Sequence, residues 1–209
     1  MTWRWTAAGN LFIADTGNNV VRLVNATTKK ISSYAGNYTK GSGYSGDNGA
    51  AEEAQLYNPT AVACDTAGNL FIADASNNVI RMVNRSTNVI TTYAGNHTTG
   101  GSYFGDGGPA IRASFHYPSR ITFDSAGNLY IADTLNFVVR KVDAISNIVS
   151  TFAGDHSGNS FGDGGSQGNG ELAGNNPLGN PGCGLVMDRT TGNVFIADYV
   201  DNIVLQVYA

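Results

Sequence analysis

Charge is scarce in this sequence. Only 13% of its 209 residues are Asp, Glu, Lys or Arg, and the 12 basic residues form no block. At a net charge of -4, a surface built to neutralise phosphates is disfavoured, so no nucleic-acid partner is expected. Cysteine is scarcer still: Cys64 and Cys183 cannot hold a metal alone, and one disulfide or two free thiols both fit the sequence. No stretch approaches the length of apolar residues that a membrane span needs. The residues after Met1 contain no apolar h-region, so the chain reads either as intracellular or as a segment of a longer product. Proline is limited to 5 residues, whereas there are 27 glycines and Asn is abundant. That mixture suits short strands joined by tight turns rather than helices. The 42% of hydrophobic residues can bury a sizeable core, which argues against global disorder.

What the chain has is a repeat. Gly9-Asn10-Leu11-Phe12-Ile13-Ala14-Asp15 recurs from Gly68 to Asp74, from Gly127 to Asp133 (with Tyr130 for Phe) and from Gly192 to Asp198 (with Val194 for Leu). The intervals are 59, 59 and 65 residues. A fixed period of this size means one supersecondary unit per repeat. In the second copy, Thr60–Asp65, Leu70–Ala73, Val79–Val83 and Val89–Ala94 read as four strands separated by Asx/Gly turns, followed by a long Gly-rich loop. Four-stranded meanders in series are the blades of a β-propeller. The expected fold is therefore all-β, with helical turns only at Ala51–Leu56 and Ala110–Phe115. The fourth copy stops at its third strand, Ile203–Val207, so the last blade lacks an outer strand.

These stretches resemble the NHL-repeat family of propellers, in the variety with a long repeat of 59 residues. The resemblance rests on Gly-Asn-Leu-[Phe/Tyr]-Ile-Ala-Asp, on the following Asn-Asn-Val-[Val/Ile]-Arg-x-Val, and on the linker from Ala94-Gly95-Asn96 through Gly105-Asp106-Gly107-Gly108-Pro109-Ala110 to Pro118. It implies a single domain over residues 1–209, with blades at about 1–36, 59–95, 118–154 and 181–209. Family members usually have six blades, so four imply a small closed ring, part of a larger propeller, or a unit completed by another chain. If the four do not close within one chain, the first blade exposes an apolar face bearing Trp3, Trp5 or Phe12. The fold hosts binding, scaffold and enzyme roles alike.

Each candidate site has a functional and a plain structural reading. Asp15, Asp74, Asp133 and Asp198 end the second strand of each unit. They would form a carboxylate ring around one mouth, or turns paired with Arg22, Arg81 and Arg140; the second reading is favoured by the turn preference of Asp. The fourth unit has Leu205 in place of Arg. Asp47, Asp106 and Asp163 lie in the Gly-rich loops and are weak calcium candidates, since one carboxylate per loop is thin for a cation that takes six or more ligands. Otherwise no metal and no cofactor is expected. His97, His116 and His156 show no zinc spacing; His97 and His156 read as nearby but unequal loop positions, and His116 precedes the next strand. No nucleophile elbow, triad or phosphate loop is present, so catalysis is not expected. The periodic aromatics Phe12, Phe71, Tyr130 and Phe195, with Tyr34, Tyr93 and Phe152, read as core between blades. Tyr44, Tyr103 and Phe161 read as residues that tuck each linker onto its blade.

Asn25, Asn37, Asn84 and Asn96 each begin an N-x-[Ser/Thr] sequon, and Asn25 and Asn37 are in register with Asn84 and Asn96. All four fall in expected surface turns, where N-linked glycan could be accepted. The reading that follows is a non-enzymatic extracellular or cell-surface module for scaffolding or adhesion. It would be glycosylated and would assemble with protein partners or copies of itself as a ring or filament. A propeller hydrolase or lyase, and an RNA-binding NHL propeller, are the alternatives.

Overall fold

The computed structural model describes residues 3–6, 9–156, 173, 178–188 and 190–208. These form four antiparallel sheets, one for each repeat. The first holds β1 (Trp3–Trp5), β2 (Leu11–Asp15), β3 (Val20–Val24) and β4 (Ile31–Ala35). The second holds β6 (Pro59–Cys64), β7 (Leu70–Asp74), β8 (Val79–Val83) and β9 (Val89–Ala94), and gains β5 (Gly49–Ala50) from the linker before it. The third holds β10 (Pro118–Phe123), β11 (Leu129–Asp133), β12 (Val138–Val142) and β13 (Val149–Ala153). The fourth has three strands, β14 (Gly184–Met187), β15 (Val194–Asp198) and β16 (Ile203–Val207), as the sequence leads one to expect. Apart from β5, which pairs with the outer strand β9, strands adjacent in sequence are adjacent in each sheet, which makes every blade a meander and the whole a four-bladed propeller arrangement.

The expected helical turns are present as single 3-10 turns at Ala51–Glu53 and Ala110–Arg112. One more, at Tyr38–Lys40, lies in the first linker, and three after β2, β7 and β11 likewise escape the sequence reading: Thr16–Asn18, Ala75–Asn77 and Thr134–Asn136. Each of these three ends on a left-handed residue, Asn19, Asn78 or Phe137. Asn tolerates that conformation because its short side chain bonds locally. Here Asn19 and Asn78 also use Oδ1 to accept from the backbone N–H of Asn58 and Tyr117, at 2.9 and 2.8 Å. The turn is thereby tied to the entrance of the next blade.

Side chains alternate across each strand, so each blade has two apolar faces. Phe12, Ala14, Val21 and Ala35 of the first blade pack on Leu70, Ile72, Val83 and Ile90 of the second. The pattern repeats one blade on, where Phe71, Ala73, Ile80 and Ala94 meet Leu129, Ile131, Val142 and Val149. Tyr130, Val139 and Ala153 then meet Val194 and Ile196. Small residues on one face receive branched ones from the other. Six of the periodic aromatics take their expected place between blades, where Phe12–Tyr34, Phe71–Tyr93 and Tyr130–Phe152 meet edge to face with centroids 4.7–4.9 Å apart, whereas Phe195 lies half-buried outside the core clusters. Among the described residues, no sheet and no core cluster joins the first blade to the fourth.

The sequence reading places Trp3, Trp5 or Phe12 on the open face of the first blade. The structure corrects it. Phe12 is buried against the second blade, and the open face carries Leu11, Ile13, Val24 and Ile31, the residues one position out of phase. Trp3 is exposed. At the far end, Phe195 and Ala197 are half-buried and Val204 is exposed.

Candidate functional site

The most elaborate polar structure sits where the first and second linkers cross the blades that follow them. In the second blade, Asp74 and Arg81 are completely buried, 3.5 Å apart. Asp74 accepts from the Tyr57 N–H at 2.7 Å and from Asn77 Nδ2 at 2.8 Å. The other side of Arg81 reaches Asp47 of the linker, through Nη2 at 2.7 Å and Nε at 3.1 Å. Tyr44 lies over the guanidinium at 4.9 Å, in cation–π geometry, and its hydroxyl meets Thr92 at 2.7 Å. The third blade repeats the arrangement with Asp133, Arg140, Asp106, Tyr103, Asn136 and Thr151.

This explains the Gly-Asp motif without a ligand. Gly46 and Gly105 have φ of 88° and 101°, and a Cβ there would lie 2.6 and 2.7 Å from the Cα atoms of Ala54 and Ala113. Only glycine fits at such a close approach. Asp47 and Asp106 spend their carboxylates on Arg, Tyr and Thr side chains, so the calcium candidacy of these two gives way to a counter-ion role. Asp163 lies outside the described residues. Tyr44 and Tyr103 do hold down their linkers, each on the blade that follows, where their partners Arg81 and Arg140 lie.

Burial sets the charges in these clamps. Removal from water pushes Asp74 up to about 6 and Asp133 up to about 7, against the donors that surround them. Partial burial also works upward on Asp106, but Thr151, Arg140 and Tyr103 together hold it below the usual carboxylate range. The expected pairs Asp15–Arg22, Asp74–Arg81 and Asp133–Arg140 are all made. Three of the four aspartates, Asp74, Asp133 and Asp198, are buried, so they line no mouth. Asp198 accepts from the Gly179 and Asn180 N–H groups at 2.6 and 2.8 Å.

His97 and His156 occupy the same position one repeat apart. His97 stacks on Tyr44 at 4.1 Å and His156 leans on Tyr103 at 4.4 Å. Their spacing of 59 residues is the signal that the sequence reading passes over. Among the described residues, no three His, Cys, Asp or Glu side chains gather into a metal-holding group.

A cleft of about 560 Å³ opens at the other end of the blades, beside the turns that join first to second strands. Phe12, Tyr34 and Phe123 give it an apolar floor, and Arg4, Arg85, Asp65 and Asp124 provide charges of both signs. Cys64 lines it, and burial pushes its thiol up to about 11, so it stays protonated and unreactive at neutral pH. Cys64 and Cys183 are both free thiols.

The sequon residues lie in turns. Asn25 and Asn84 accept from two following N–H groups through Oδ1, and Asp143 does the same in the third unit. Asn96 accepts from Thr98. Asn37 also donates through Nδ2 to Glu53 at 3.1 Å. The turn itself therefore accounts for the Asn or Asp at these positions.

Known proteins share this organisation. The family model for the teneurin NHL domain matches residues 6–102. NHL repeat-containing protein 2 of Bos taurus is 29% identical over 159 residues, which is 74% of this chain and 22% of that protein. The chain spans 12–22% of the length of the curated relatives it matches. A Bacteroides thetaiotaomicron structure of unknown function superposes with a TM-score of 0.69 at 19% identity, covering 95% of this chain and 44% of that one. A virginiamycin B lyase from Staphylococcus aureus does so with a TM-score of 0.54 at 11% identity, covering 100% and 55%. At such identities these two structures speak for the fold alone. The repeated motif, the meander blades and the sequence matches agree in likening this chain to the NHL-repeat β-propellers.

Proposed function

We propose that this chain is a non-catalytic interaction and scaffolding module of an extracellular or cell-surface protein, and that it assembles with copies of itself or with further blades. One observation carries the reading. The first blade presents an apolar face at Leu11, Ile13, Val24 and Ile31, and the fourth presents one at Phe195, Ala197 and Val204, with no strand beyond β16 among the described residues. Faces of this kind are covered by a neighbouring blade everywhere else in the molecule. A face at one end and a complementary face at the other make a heterologous contact, which yields rings or filaments. No helix among the described residues is long and apolar enough to cross a membrane.

Sedimentation of purified protein at micromolar concentration tests assembly. A mass above 21.9 kDa, with Trp fluorescence that changes on dilution, is expected. A stable monomer would sink the reading. The compartment rests on the sequons. Intact mass before and after deglycosylation of native material should show glycan on Asn25, Asn37, Asn84 or Asn96, and bare Asn at all four would refute it. A lyase-like activity is the weaker reading, because His97 and His156 sit in separate linker clamps engaged with tyrosines.

A further inference from the structure

The three Arg-bearing blades carry the same socket, and among the described residues two of the three are filled. In the second blade, Asn48 and Ala51 of the linker donate to the carbonyls of Ile90 and Asn88, at 2.8 and 2.9 Å. In the third, Gly107 donates to Val149 and Ala110 to Asn147, while the Val149 N–H returns a bond to Gly108. The linker thus adds an extended segment to the outer edge, inserts its Asp beside the Arg and lays its Tyr over the guanidinium. Asn77 and Asn136 complete the grip by donating to the carbonyls of Gly43 and Ser102, at 2.7 and 2.9 Å.

The first blade repeats this set as Asp15, Asn18, Arg22, Ile31 and Ser33. No strand lies outside β4 among the described residues. Ile31 is 62% exposed, whereas its equivalents Ile90 and Val149 are 0% exposed. The Arg22 side chain is 28% exposed, against 0% for Arg81 and Arg140. Asn18 turns back on Asp15, and Arg22 takes Ser33 as a partner at 2.8 Å. Ser33 is the counterpart of Thr92 and Thr151, which bond the linker tyrosines. Lys29 and Lys30 stand where the filled blades have Asn88-Val89 and Asn147-Ile148. Edge lysines discourage indiscriminate strand pairing and favour an acidic arrival.

We infer that the outer edge of the first blade is a docking site for an extended NHL-type linker segment, Tyr-x-Gly-Asp-x-Gly, donated by a blade outside these four. The segment adds a strand to β4, bonds the backbone of Ile31 and the carbonyl of Lys29, and sets its Asp on Arg22 under its Tyr. Main-chain pairing supplies the affinity, and the Asp–Arg–Tyr insertion supplies the selectivity. The inference deepens the assembly reading above and rests on it.

The test uses the full chain and a labelled peptide spanning residues 42–57, the first linker of this protein, in fluorescence anisotropy. Saturable binding is expected. It should weaken by about tenfold or more with the peptide carrying Asp47→Asn, or with the protein variant Arg22→Leu, since each removes a charge-assisted bond. Ile31→Pro leaves Arg22 in place while removing an outward N–H together with the exposed Ile side chain, and it should weaken binding as well. Circular dichroism confirms that each variant is folded. Absence of saturable binding to the wild type, or binding indifferent to Asp47, Arg22 and Ile31, would overturn the inference. Sedimentation without peptide reads assembly separately: oligomers with no peptide binding would sink the socket alone, and a monomer that binds peptide would sink the self-assembly reading alone.

Discussion

The first and second blades carry nearly the same sequence in different surroundings. Asp15 and Arg22 are partly exposed, at 17% and 28%, and their contact of 3.1 Å is screened by water. Asp74 and Arg81 are dry, and Arg81 is shared between Asp74 inside the blade and Asp47 from the linker. One motif therefore gives a surface ion pair in one blade and a buried triad in the next. The difference comes from the linker, which seals the edge of one and not of the other. A clamp of this kind makes each linker part of the blade it enters, so that burial, charge and chain connectivity reinforce one another.

The largest expected consequence is in stability. Arg81→Leu or Arg140→Leu leaves two aspartates without their cation, one of them fully buried, and should cost about 3–5 kcal/mol. Arg22→Leu breaks a partly exposed pair and should cost less than about 1 kcal/mol. Urea unfolding of the three variants measures both. Equal losses would show that linker burial does not set the energy of the pair.

A second difference concerns pH. Burial raises Asp133 to about 7 in the folded chain, whereas an unfolded aspartate titrates near about 3.9. A raised folded value means that folding favours the protonated carboxyl. Its contribution to stability is complete below about pH 4 and is lost as pH rises through about 7, at no more than about 1.4 kcal/mol per pH unit. Asp74 behaves alike up to about 6. Comparing wild type with Asp133→Asn by urea unfolding from pH 4 to 8, the wild type should lose ground steadily against the variant as pH rises. Asp106 has the opposite dependence, but it is present in both proteins and cancels in the difference. Parallel curves would mean that Asp133 is held ionised by Asn136, the His116 N–H and Arg140 despite its burial.

The blades were legible in the sequence because the repeat places identical residues at identical turns, and strand alternation follows from the apolar pattern. The Asp–Arg pairs were legible for the same reason, being seven residues apart across one hairpin. The clamps were not. Asp47 lies 34 residues from Arg81, and nothing local states that a linker doubles forward onto the next blade rather than back onto its own. Period alone could have joined Asp47 to Asp106 and His97 to His156, but not told which blade they serve. The open face of the first blade was misread at Phe12 because period-2 alternation fixes which residues share a face, not which face meets a neighbour.

The smallest expected effect bears on the entry to the fourth blade, where the repeat departs from itself. Asn19 and Asn78 end their 3-10 turns with φ of 56° and 58°, and the third repeat puts Phe137 there at 60°. Phe gains nothing from the left-handed conformation, since its Cβ crowds the carbonyl and its ring cannot bond the backbone. Asn19 and Asn78 hold Asn58 and Tyr117 at the mouths of the second and third blades, a bond that Phe137 has no atom to make. Phe137→Asn should therefore stabilise the protein by about 0.5–1 kcal/mol through relief of backbone strain alone. The reverse change, Asn78→Phe, should cost more than that gain, because it also removes the bond to Tyr117. Thermal unfolding of the two variants beside the wild type reads both signs. A loss of stability on Phe137→Asn would show that the ring, half-buried where it stands, contributes more by packing than the left-handed backbone costs.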